Sequence, residues 1–432
     1  MSESRAPALI ALLMLGAALA AVVILTTPWT PLAAGRSARR VAVDARRDFS
    51  ATEIARESAF HRKARAPAYA GMLVGLVVAG ALGLTIAGAR VVEAVGRPFG
   101  GGWWPKAVIG GLALTLIGRL VTLPFDAAGE RVQRHYGLST QTWPSWLLDE
   151  LKGFAVSAVF LTIVLTVFFA LARAAPRTWW LWASGAGVAL VVTTSFLYPV
   201  LLEPVFNKFT SMPAGPLRES LLSLAAADGV PVTDVLVADA SRRTTALNAY
   251  VSGFAGTRRI VVYDTLIKTA PPREVELVVA HELGHAKRQD VLIGTAIGAL
   301  ALAATMPLLW LLLSGALLRR AGASAVGDPR GVALLLFVIA VLAALAGPIG
   351  ALVSRRIEAR ADVHSLELSK DPQTFVEAER RLALTNLSDL EPAPVIYGLF
   401  FTHPSSPERI ALARTWARQH GVPEPADLRP AG

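Results

Sequence analysis

Residues 278–291 read VVAHELGHAKRQDV, a histidine pair spaced by four around a glutamate, and a long apolar run begins at the last residue. On a helix His281 and His285 share one face and Glu282 turns toward the same space, so two imidazole nitrogens can hold zinc while a carboxylate reaches its water. The run behind them, residues 291–318, is long enough to cross about 30 Å of hydrocarbon. A site that uses water therefore adjoins a membrane span.

The whole chain has the composition of a membrane protein. Its 432 residues are 53% hydrophobic and only 17% charged, with a mean hydropathy of +0.49. Soluble chains carry about 25% charged residues, and here the missing charge is withdrawn from bilayer-sized blocks. Seven segments qualify as spans: 8–27, 69–89, 107–125, 154–174, 179–201, 291–318 and 332–353. The expected fold is an α-helical polytopic membrane protein with about seven transmembrane helices. Arg119 interrupts the third segment near its end, where its side chain is expected to snorkel to the interface. With no cysteine there are no disulfides and no thiolate ligands, so any metal rests on His and carboxylates.

The net charge of +10 does not point to nucleic acid, because the basic residues form no stripe interleaved with aromatics. Topology accounts for them. With seven spans, residues 34–66, 126–153, 202–290 and the C-terminal tail share one face carrying 32 Lys and Arg, against nine on the other. Residues 34–66 alone hold nine, among them Arg36, Arg39, Arg40, Arg46, Arg47, Arg62, Lys63 and Arg65. By the positive-inside rule this face is cytoplasmic and the first span is retained rather than cleaved as a signal peptide. The reading is an integral multi-pass protein of the cell membrane.

Two stretches are soluble in character, 203–290 and 354–432. In the first, PLRESLLSLAAADGV has helical spacing at Leu217, Leu221 and Leu224, and VTDVLVAD alternates like a strand. LNAYVSGF and RRIVVYDTL, separated by Ala255, Gly256 and Thr257, read as a hairpin. The polar flanks PPREVE and KRQD imply that the motif helix starts outside the hydrocarbon and then continues into the sixth span.

A catalytic zinc takes three protein ligands and keeps one open position. The extended motif that would supply a third ligand nearby needs Gly where Arg288 stands and His where Val291 stands, so that ligand is distant. SRRIEARADVHSLEL, just past the seventh span, places Glu358 and Asp362 on one helical face. Glu358 is the candidate ligand, and Asp362 could orient His281 or His285 through the free ring N–H. Glu358 could equally be a surface carboxylate paired with Arg355 or Arg360. Its place at the same membrane face as the histidines favours ligation. His61, His135, His364 and His420 read as surface or interface groups.

These residues resemble the type I CAAX prenyl proteases, which have HtpX-type relatives. The carriers are LPFDAAGERVQRHYGLSTQT, EPVFNKF, SRRTTALNAYVSGFAGTRRIVVYDTL, HELGH, SRRIEARAD and THPSSPER, spread over about residues 123–410 in family order. The resemblance implies a small α+β zinc metalloprotease domain, gluzincin-like, on the cytoplasmic side. It implies one zinc ion per chain held by His281, His285 and Glu358, with Glu282 as general base and Asp362 behind the ligands. His403 and Arg409 match family residues that face the reacting carbonyl, and Asn248, Ala249 and Tyr250 match an edge strand that pairs with substrate. It also implies a water-filled internal chamber. Ala246 and Asp290 depart from the eukaryotic pattern, where His is common, and Asp290 is nearer the HtpX-type pattern.

The expected organisation is a five-span region at 1–201, a protease region with the hairpin and HExxH at 202–290, spans six and seven at 291–353, and a C-terminal protease region at 354–432. The expected function is a zinc metalloendopeptidase acting on peptides or proteins, prenylated or membrane-associated. The alternatives are an HtpX-like quality-control protease, an intramembrane protease with the motif inside a span, and a transporter or scaffold with a structural metal. The polar flanks disfavour the second, and the lack of repeated halves or paired broken spans disfavours a transporter.

Overall fold

A computed structural model of the chain describes residues 5–32 and 40–428. Arg36 and Arg39 of the basic loop lie outside the described residues. The first part is helical: α1 (Ala6–Thr26), α2 (Ala51–Gly83), α3 (Ile86–Gly96), α4 (Trp103–His135), α5 (Trp143–Ala174) and α6 (Trp179–Leu197). α2 opens in a reciprocal cap between Ser50 and Glu53, so the second half of the basic loop is helix rather than coil. The second span was expected to run to residue 89, but α2 ends at Gly83 and the Thr85 hydroxyl caps the separate α3. Hydropathy does not register a cap inside an apolar run.

Arg119 was expected to snorkel. It forms ion pairs with Asp126 at 2.7 Å and with Glu150, both in the segment between the third and fourth expected spans. These partners lie on α4 and α5, which pack together, so the cation is compensated within the helix pair.

A π-helical turn, Tyr198–Leu202, leads from α6 into α7 (Glu203–Phe206) and the soluble elements. These are β1 (Phe209–Ser211), α8 (Pro216–Ala227), β2 (Asp234–Ala238), β3 (Ala249–Ser252), β4 (Arg259–Tyr263), α9 (Asp264–Thr269) and α10 (Pro272–Lys287). The sheet runs β1-β2-β4-β3; β2 and β4 are parallel, and β1 and β3 lie antiparallel at the two edges. The two β-rich runs form the β3–β4 hairpin, and β3 is left as an edge. Leu221, Val235, Ile260, Val262, Val275, Val279 and Leu283 close the core between α8, α10 and the sheet.

The chain then forms α11 (Asp290–Leu312), α12 (Gly315–Arg320), α13 (Val332–Ser369), α14 (Pro372–Thr385), α15 (Pro394–Phe400) and α16 (Ser406–His420). Among the described residues seven helices are long and apolar enough to cross a membrane. The motif helix does not run on into the sixth span. Gln289 takes a left-handed conformation, φ 58°, which stops α10 and starts α11 in a new direction. The sixth span is also shorter than expected, because Ser314 caps α12 as a separate helix. α13 is continuous over 38 residues, so the last span and the helix bearing Glu358 are one rod.

Candidate metal centre

α10 is fixed by its buried face. Val275, Val279 and Leu283 face the sheet core, while His281 and His285 emerge on the side toward α13. α13 approaches closely at Gly284, where an added Cβ would stand 3.0 Å from the His364 side chain. That approach brings the helix carrying Glu358 across the motif.

His281 Nε2 lies 3.2 Å from His285 Nε2 and 3.2 Å from Glu358 Oε2, and His285 Nε2 lies 3.7 Å from Glu358 Oε1. One donor atom from each residue falls within 4.8 Å of the others. A tetrahedral zinc with bonds near 2.0–2.1 Å separates its ligand atoms by roughly 3.3 Å. The two nitrogens and one carboxylate oxygen therefore fit such an ion, and the set is the one its chemistry prefers.

The opposite ring nitrogens are fixed as well. Nδ1 of His281 donates to Asp362 at 2.9 Å, and Nδ1 of His285 donates to Asp290 at 2.9 Å. Asp362 in turn accepts from Arg409 Nε at 2.9 Å, Arg409 also pairs with buried Glu379, and Arg360 pairs with Asp290. Each imidazole thus presents Nε2 to the centre. Burial would depress His281, but its bonds to Asp362 and Glu358 outweigh it and lift it to about 10. The same opposition, with Asp290 and Glu358 as partners, lifts His285 to about 9. Burial pushes the Glu282 carboxyl up.

The structure brings His281, Glu282, His285, Glu358, His403, Arg409, Asn248, Ala249 and Tyr250 to one cleft of about 990 Å³. Asp362 stands behind it on His281. His403 leans over the group with Nε2 3.5 Å from Glu358 Oε1 and an exposed side chain. All three guanidinium nitrogens of Arg409 are engaged by Asp362 and Glu379, so it braces a carboxylate rather than reaching into the open space. The hairpin register turns the backbone groups of Asn248 and Tyr250 toward β4 and those of Ala249 and Val251 outward.

Sequence reading missed four contributors. Asp290 stands out in the sequence only as nearer the HtpX-type pattern, with no role attached. Glu379, Asn386 and His61 gave no signal, because only the fold brings α2 and α14 to the cleft. His61, which reads as a surface or interface group, lines the cleft, and its Nε2 donates to the Leu387 carbonyl at 2.7 Å. His364 has a partner too, Asp228 at 2.9 Å.

Residues 211–417 match the model of peptidase family M48, and residues 68–208 match that of the CAAX prenyl protease N-terminal region, five membrane helices. A Bacillus subtilis (strain 168) protein named uncharacterized metalloprotease YhfN is 33% identical over 318 residues, 73% of this chain and 74% of that one. A CAAX prenyl protease 1 homolog of Oryza sativa subsp. japonica is 31% identical over 306 residues, 68–69% of each chain. The crystal structure of S. mikatae Ste24p has the same fold, with a TM-score of 0.73 over 94% of this chain and 98% of that one at 20% identity.

The fold and these matches define a multi-pass membrane metalloprotease. Within that class the chain belongs to peptidase family M48, in its CAAX prenyl protease branch.

Proposed function

We propose that the protein is a zinc-dependent endopeptidase of the cell membrane whose site opens on the cytoplasmic side. The observation that carries this reading is the meeting of His281, His285 and Glu358 donor atoms within 4.8 Å beside Glu282. A zinc ion held there would supply a Lewis acid that brings the pKa of water near 7. Glu282 accepts the proton of the attacking water and returns it to the leaving amine, a task suited to a carboxyl raised by burial. His403 donates to the carbonyl oxygen as negative charge builds on it. Asp362 and Asp290 hold the imidazoles, and Arg409 steadies Asp362.

The substrate backbone pairs with the outward groups of Ala249 and Val251, with Asn248 and Tyr250 flanking it on the same strand. Backbone pairing is compatible with a prenylated CAAX peptide. It also favours a second reading, quality control of unfolded membrane proteins, because an edge strand reads no particular sequence.

Two measurements test this. Glu282→Ala should retain zinc and lose peptide cleavage by about 10²–10⁴-fold, the usual weight of a general base. Full activity in that variant would sink the mechanism. Comparing a farnesylated CAAX peptide with its unprenylated form separates the substrate readings: equal kcat/KM removes prenyl recognition, and strong preference for the farnesylated peptide removes the quality-control reading.

A further inference from the structure

Asn386, the residue that caps α14, touches the start of β3 in a way the metal chemistry does not require. Its Oδ1 accepts from the Leu247 backbone N–H at 2.8 Å, and its Nδ2 donates to the Leu247 carbonyl at 3.0 Å. β3 pairs antiparallel with β4, Tyr250 opposite Val261, and the Tyr263 N–H donates to the Asn248 carbonyl at 3.0 Å. In such a ladder alternate residues turn both backbone groups to the partner, and those between turn theirs away. Asn248, Tyr250 and Ser252 face β4; Leu247, Ala249 and Val251 face outward. A strand adding to this edge meets Leu247 already paired with a carboxamide, which carries the donor and acceptor of one peptide unit.

The carboxamide is firmly placed. Leu387, the next residue, is buried with φ 54°, a region that side chains other than glycine rarely enter. Its carbonyl accepts from His61 on α2 at 2.7 Å. Strained backbone of this kind persists where its surroundings over-determine it, here a membrane helix on one side and the strand edge on the other.

We propose that Asn386 is a positioning residue that ends the substrate strand. It occupies Leu247 so that an extended peptide pairs only across Ala249 and Val251, which fixes the bond presented to Glu282. This rests on the strand-addition reading above. The test uses the full-length protein in detergent, with the farnesylated CAAX peptide and its unprenylated form, and locates cleaved bonds by mass spectrometry. Wild type should cut one bond. Asn386→Ala should also cut at a bond displaced by two residues, since a slip of two preserves side-chain facing. Its preference for the original bond should fall about tenfold, the weight of one or two ordinary hydrogen bonds.

Asn386→Asp keeps the acceptor for the Leu247 N–H but sets a carboxylate against its carbonyl, so the same displacement should appear in smaller proportion. It also replaces the alanine variant if that one does not fold. Zinc content and thermal midpoint are measured in parallel. A folded, zinc-loaded variant that cuts only the original bond overturns the proposal. So does loss of all cleavage at normal zinc and midpoint, or failure of both variants to fold, because each assigns Asn386 a purely structural part. Failure of the underlying reading looks different: wild type cleaves neither peptide, or Glu282→Ala cleaves as well as wild type.

Discussion

Asp290 orients His285 although it belongs to the next helix, because the left-handed Gln289 turns the chain and returns the carboxylate to Nδ1. A carboxylate behind a ligating imidazole typically carries a 10–100-fold effect on metal affinity. Asp290→Asn should lower zinc affinity by about that range while leaving the helices intact, measured by chelator competition and circular dichroism. Asp362→Asn should lower it at least as far, because the change also removes an anionic partner of Arg409. Unchanged affinity in both would mean the imidazoles hold their orientation without these carboxylates. The two acids differ in how visible they are. Asp362 can be read beside Glu358 because four residues on a helix is a fixed geometry. Asp290 cannot, because its contact depends on a single backbone conformation at Gln289.

α13 joins the last apolar span to the carboxylates of the centre, and its distance from α10 is set at Gly284. A Cβ there would meet the Cβ and Cδ2 of His364 at 3.0 Å, and the His364 ring is tethered to Asp228 at 2.9 Å, so it has little room to yield. Gly284→Ala gains about 1 kcal/mol of helix propensity but incurs about 1–3 kcal/mol of overpacking, so the expected net is destabilisation. Thermal unfolding should show a lower midpoint for Gly284→Ala, with part of the loss recovered in the double variant with His364→Ala. A midpoint equal to wild type in the single variant would show that the helices can part at no cost. Element boundaries were legible only where hydropathy governs them. The caps at Thr85 and Ser314 split expected spans because hydroxyls satisfying free amides leave no mark in an average of apolarity.

At the scale of the molecule, the candidate ligands come from two bodies: the sheet unit through α10 and the membrane helices through α13. A bound ion would tie them together and add stability of about 2.7 kcal/mol when present at a hundred times its dissociation constant. The size of that tie should depend on pH, since ligating imidazoles must be neutral and binding releases their protons. Neighbouring carboxylates lift both His281 and His285 above the ordinary imidazole value, so protons compete with an ion for the pair at neutrality. For a raised imidazole, the stabilisation of the ion-free fold is fully present below the ordinary value of about 6.5 and fades as pH climbs through the folded value. The ion-loaded fold gains as the same protons become easier to remove. The difference in thermal midpoint between zinc-loaded and chelated protein should therefore widen steadily from about pH 6 to about pH 8. A difference that stays flat or narrows over that range would mean that protons and metal do not compete for His281 and His285.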